Sequence, residues 1–119
     1  MTALTTARSF LFVPGDRPDR FDKAVTSGAD VVIIDLEDAV APAAKTTARD
    51  AAVAWLQGGG SACVRVNAAD TAEHDADLAA LAGLAGSGLL AVVLPKAEDP
   101  SLASAVAEQT GVPVIALVE

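Results

Sequence analysis

The chain has 119 residues, 52% of them apolar and 20% charged, a composition that supports one packed domain and excludes a disordered chain. A net charge of −8 argues against nucleic acid or an anionic membrane as a partner. No apolar run reaches the roughly 18 residues of a membrane span, and the single cysteine, Cys63, cannot form an internal disulfide.

Residues 9–13 are a short apolar run closed by Pro14-Gly15, which predicts a first strand. Residues 18–27 then read as a helix. Pro18 suits the first turn, Phe21, Ala24 and Val25 share a face, and Gly28 ends it. Residues 31–36 are β-branched and apolar without alternation, as in a strand buried on both faces. A helix over 43–57 stops at Gly58-Gly59-Gly60, a loop and not a domain boundary. Residues 62–66 form a third strand, and Cys63 inside it reads as a small core residue. A helix follows over 73–85, with His74 at its polar start expected on the surface. The fourth strand is 89–94, closed by Pro95. Asp99 and Pro100 start another helix as N-cap and first residue, and Gly111 ends it before a fifth strand over 113–118.

The order β-α-β-α-β-α-β-α-β implies parallel strands with right-handed crossovers. Two architectures accept it. One is an open, five-stranded, doubly wound sheet, complete at this length. The other is a (β/α)8 TIM barrel of typically about 250 residues. In that case residues 1–119 are a partial barrel domain, the first four βα units plus the fifth strand.

All five strands deliver charged groups at their C-terminal side, where both folds place their sites. The first is followed by Asp16 and Arg17, the second by Asp35, Glu37 and Asp38, the third by Arg65 and Asn67, the fourth by Lys96 and the fifth by Glu119. Loops are polar in any protein, but Asp35, Arg65 and Glu119 lie within or at the end of apolar runs. Asp35 and Glu37 point one way on an extended chain and Asp38 the other. They can hold a hard cation or orient basic groups, or form a cap and salt-bridge cluster. An arginine inside Val64-Arg65-Val66 needs an anion, which is Asp35, Glu37, a substrate carboxylate, or a protein and a substrate group together. Glu119 is a candidate Mg²⁺ ligand that requires a second ligand from elsewhere. There is no His/Cys cluster for zinc, no Ser-His-Asp arrangement and no glycine-rich phosphate loop.

These residues carry a resemblance. The run RSFLFVPGDRP at 8–18 resembles the opening of the citrate lyase β-subunit family, in the HpcH/HpaI aldolase group. VIIDLEDAV at 32–40 is similar to its second-strand motif, with Lys45 and Arg49 at the basic positions that follow. VRVN at 64–67, VLPKAE at 93–98 and ALVE at 116–119 resemble its next three strand ends, in register along the whole chain. The resemblance implies a Mg²⁺-dependent carbon–carbon lyase on a TIM barrel. It cleaves or forms a 3-hydroxyacyl thioester such as citryl-CoA or malyl-CoA, giving acetyl-CoA and a 2-oxo acid. It assigns Arg65 to the substrate carboxylate and Glu119 to metal and substrate; Asp35, Glu37, Asp38 and Lys96, at the other strand ends, are read as supporting residues. The acyl group rides on CoA or a carrier protein, and Arg17, Arg20 and Lys23 either meet the CoA phosphates or form an ordinary helix surface. The resemblance further implies a homotrimer or hexamer. The absence of a signal-peptide pattern after Met1 and the lone cysteine fit the cytoplasm.

Two rival readings stand beside it. A receiver-type signalling domain has a similar length and strand-end acids, but expects acids after the third strand and a lysine after the fifth. The other is an inactive fragment, whose partial metal site and open strand edges predict no activity from these 119 residues alone.

Overall fold

A computed structural model describes residues 9–96 and 99–117. Five strands form one all-parallel sheet: β1 (Phe10–Pro14), β2 (Val31–Asp35), β3 (Ala62–Arg65), β4 (Leu89–Leu94) and β5 (Val114–Ala116). Four helices connect them: α1 (Phe21–Val25), α2 (Lys45–Gln57), α3 (Ala72–Leu81) and α4 (Pro100–Thr110).

The strand order in space is β1-β2-β3-β4-β5. This decides between the two candidate architectures. A doubly wound sheet, the receiver type included, needs a reversal of strand order, because its helices lie on both faces. Here no reversal occurs and right-handed crossovers put every helix on one face, the pattern of a (β/α)8 barrel wall.

Side-chain packing follows from that winding. Val32, Ile34, Val64, Val66, Val92 and Leu94 point outward and bury Phe21, Ala24, Ala48, Ala52, Leu56, Leu81 and Val106 of the helices. The alternate residues Val31, Ile33, Cys63, Ala91 and Val93 form a second, strand-only cluster on the inner face. Strands buried on both faces explain why the sequence runs apolar without alternation. Alanine dominates the sheet-facing side of α2, so its backbone sits close to the strands.

The helices are punctuated as the sequence predicts. Asp99 accepts a hydrogen bond from the Ser101 amide at 2.9 Å, and Gly111 closes α4 at φ +76°. Pro18 and Pro42 each open a 3-10 turn that leads into a helix. Two helices are shorter than their sequence patterns: α1 is regular only to Val25 and α3 only to Leu81. Phe21 anchors the short α1 by meeting Trp55 edge-on, with ring centroids 5.4 Å apart. Gly15 is required by close approach. A Cβ there would lie 2.8 Å from the Leu36 side chain and 3.0 Å from the Asp35 carbonyl oxygen. Its amide donates to that carbonyl at 2.8 Å, which ties the loop after β1 to the end of β2.

Candidate functional site at the ends of the central strands

Asp35 and Arg65 are register partners on β2 and β3, so they meet at the same height on the inner face. Arg65 donates from Nε to Asp35 Oδ1 at 2.9 Å and from Nη2 to Oδ2 at 2.6 Å. This is a bidentate guanidinium–carboxylate fork. Each carboxylate oxygen also accepts a backbone amide, Glu37 N to Oδ1 at 2.8 Å and Ala39 N to Oδ2 at 3.0 Å. Asp35 therefore closes the turn after its own strand while it holds Arg65.

Three further groups surround the guanidinium. Glu37 Oε1 lies 3.7 Å from Arg65 Nε. Phe12 stands across the face of the guanidinium, its ring centroid 4.6 Å from Arg65 Cζ. Phe12 pairs with Ile33 in the sheet, which puts it on the inner face, and it remains 42% exposed. Asp38 is exposed, and its charge adds to the negative field around Arg65.

Burial alone would raise the Asp35 carboxyl. The Arg65 hydrogen bonds and the two amides outweigh it and hold the group below the ordinary carboxylate range. The hydrogen bonds to Asp35 in turn push the Arg65 guanidinium up against its own desolvation. Both groups are thus held in their charged forms. No hydrogen bond from Arg65 Nη1 occurs among the described residues, so one edge of the fork is uncommitted.

A second polar network lies behind the first. Lys45 on α2 donates from Nζ to the Leu36 carbonyl at 3.0 Å, the Glu37 carbonyl at 2.7 Å and Asn67 Oδ1 at 2.7 Å. Asn67 donates its amide and its Nδ2 to Asp77 Oδ2. Asp77 Oδ1 accepts from Arg49 Nε at 2.9 Å, and Arg49 also pairs with Glu73. His74 Nδ1 sits 2.8 Å from the Asn67 carbonyl. The surface reading of His74 is therefore corrected: it is 4% exposed and packs against the loop after β3. Asp77, fully buried, escaped sequence reasoning.

Lys96 and Arg17 do not join this cluster. Lys96 is exposed after β4 in a left-handed backbone conformation, φ +53°. Arg17 pairs with exposed Asp19. Glu119 lies outside the described residues. Among the described residues no group of three or more His, Cys, Asp or Glu side chains could hold a metal ion. Asp35 is not free for one, because four donors already occupy its oxygens. Cys63 is a core thiol that burial pushes up to about 11. No helix of the described residues is long and apolar enough to cross a membrane.

Comparison with known proteins places this geometry. The HpcH/HpaI aldolase/citrate lyase family model matches residues 8–114. A citrate lyase subunit beta-like protein of Mycobacterium tuberculosis is 49% identical over 110 residues, covering 92% of this chain and 38% of that protein. An L-malyl-CoA/beta-methylmalyl-CoA lyase of Cereibacter sphaeroides is 39% identical over 93 residues, covering 75% and 29%. The M. tuberculosis protein CitE, solved with magnesium, acetoacetate and coenzyme A, superposes with a TM-score of 0.79 at 44% identity, covering 97% of this chain and 41% of that one. The chain spans less than half the length of these relatives.

Proposed function

The chain belongs to the HpcH/HpaI aldolase/citrate lyase family, and on that footing we propose that the intact protein is a Mg²⁺-dependent carbon–carbon lyase. Its substrate is a 3-hydroxyacyl thioester such as citryl-CoA or malyl-CoA, and its products are acetyl-CoA and a 2-oxo acid. The magnesium and coenzyme A bound to the M. tuberculosis relative support the cofactor and the thioester.

The observation that carries the reading is the fixed Arg65 guanidinium at the C-terminal end of a central strand. Asp35 sets its direction, Phe12 its plane, and Nη1 is left to bind the carboxylate of the acid half of the substrate. The Asp35 carboxylate already balances the single positive charge of Arg65, so Arg65 contributes orientation more than net attraction. Mg²⁺, when bound, supplies the missing positive charge and polarises the bond to be broken. Its proposed ligand is Glu119, the strand-end carboxylate that the family resemblance assigns to the metal. Asp38 and Lys96 are proposed to border the site from the ends of β2 and β4.

We place the protein in the cytoplasm and propose that it is a homotrimer or hexamer, an assembly state that light scattering on the purified protein checks. For the activity, the intact protein is incubated with citryl-CoA or malyl-CoA and Mg²⁺, and release of acetyl-CoA and 2-oxo acid is followed. Cleavage that stops on chelation with EDTA and falls at least 100-fold in Arg65→Ala is the expected result. Failure of the wild-type protein to cleave either thioester, or near-normal turnover by Arg65→Ala, sinks the proposal.

A further inference from the structure

The turn after β2 is gripped from two opposite sides. Its amides, Glu37 N and Ala39 N, donate to the Asp35 carboxylate, and the same carboxylate holds Arg65. Its carbonyls, Leu36 O and Glu37 O, accept from the Lys45 ammonium. Leu36 and Glu37 therefore join two charged groups through their peptide units. The third Lys45 donor reaches Asn67, two residues beyond Arg65 on the neighbouring chain segment.

From this geometry we infer that Lys45 is a positioning residue for Arg65. It acts through the turn and Asp35 without itself touching the Asp35–Arg65 pair. Its three N–H donors are spent on three acceptors drawn from the ends of both β2 and β3. It thus fixes the spacing of the two strand ends that carry Asp35 and Arg65. An ammonium is suited to this, being a compact charge with three donors that can serve acceptors in different directions. Two carbonyls with no donor between them would repel one another, and the turn would relax away from the amide geometry that Asp35 needs.

The Lys45 side chain is itself held in place. Asn67, its third acceptor, is fixed by Asp77, and Asp77 by Arg49, which stands one helical turn beyond Lys45 on α2. The path from α2 to the guanidinium consists of hydrogen bonds between 2.6 and 3.0 Å at every step. Lys45 is only part-buried, and removing its charge takes no large apolar group from the core.

The inference rests on the proposed role of Arg65, and its test separates the two. In the intact protein, kcat/KM for thioester cleavage is measured for Lys45→Met, Arg65→Ala and the double variant. Lys45→Met is expected to lose at least tenfold, mostly in KM. In the double variant it should add less than twofold to the loss from Arg65→Ala, because it acts through a side chain already removed. Losses that multiply in the double variant, or a Lys45→Met protein within twofold of wild type, overturn the inference. Lys45→Gln goes through the same cycle if Lys45→Met does not fold. If the wild-type protein proves to have no thioester activity, the proposed function fails and a separate readout decides the inference. The Arg65 Nε–H resonance, assigned by its loss in Arg65→Lys, should shift or broaden in Lys45→Met. An unmoved resonance overturns the inference whatever the activity.

Discussion

Replacing Asp35 by asparagine tests the centre of the site with almost no change in volume. The wild-type carboxylate receives four donors, two on each oxygen. Oδ1 accepts from Glu37 N and Arg65 Nε, and Oδ2 from Ala39 N and Arg65 Nη2. An asparagine amide has one oxygen and one NH₂ group. Whichever way it is flipped, the NH₂ faces two donors, and one backbone amide and one guanidinium N–H lose their acceptor. Arg65, with a side chain 13% exposed, loses its bidentate partner as well. Removing one partner of a buried ion pair costs about 3–5 kcal/mol. With a urea m-value of about 3 kcal/mol per M, the unfolding midpoint of the intact protein should fall by at least 1 M or so at pH 7. The pH dependence gives a second check. Folding depresses the Asp35 carboxyl, so its contribution is fully present above the unfolded value of about 3.9 and is lost as pH falls through the lower folded value. The gap between wild type and Asp35→Asn should be constant from pH 7 to 5 and narrow below about pH 4. A midpoint shift under about 0.3 M at pH 7, or a gap that stays the same between pH 6 and pH 3, would refute the account.

Three further changes follow from the packing. Gly15→Ala should lower stability by about 1–3 kcal/mol, since the new methyl collides with Leu36 and the Asp35 carbonyl, and a thermal melt of the intact protein reads it. Arg49→Met keeps an apolar stem but leaves buried Asp77 without its cation, at a cost of about 3 kcal/mol or more; a melting temperature within 2 °C or so of wild type would count against the network. The Cys63 thiol, at about 11, is roughly one part in a thousand thiolate at pH 8. Mass spectrometry should find its peptide unlabelled after an hour with iodoacetamide and fully labelled in 8 M urea, and rapid labelling of the folded protein contradicts the burial.

Element types and order were legible in the sequence because the winding makes them so. Strands buried on both faces leave β-branched runs such as residues 31–34, and proline and glycine mark the turns between them. The choice between a barrel wall and a doubly wound sheet was not legible from these elements. Both produce the same local pattern, and only the spatial order of the strands separates them. Helix ends were less legible. The apolar spacing of α3 continues to Leu84, yet the regular helix ends at Leu81 while Leu84 stays buried in the turn that follows. Burial of a side chain does not require its backbone to be helical.

The site divides the same way. A charged residue inside an apolar strand is conspicuous, so Arg65 and Asp35 could be found. Sequence reasoning left Asp35 and Glu37 open as partners of Arg65, and register resolves it: Asp35 is directly opposite Arg65, and Glu37 lies past the end of β2. His74 and Asp77 were missed because i,i+3 polar residues on a helix ordinarily face water. What makes that face buried is the loop carrying Asn67 and the neighbouring helix α2. A signal was present there. Lys45 and Arg49 stand four residues apart, next to the buried alanines 48 and 52, so two cations share the side of α2 turned toward the protein. Cations in such a position need acceptors nearby. Lys45 finds them in the turn after β2 and in Asn67, and Arg49 finds them in Asp77 and Glu73 on α3. The alanine-rich face of α2 permits this, because small side chains let the helix approach closely enough for a lysine to reach strand-end carbonyls. The same close packing that holds α2 against the sheet thus places a second layer of charge behind the Asp35–Arg65 pair.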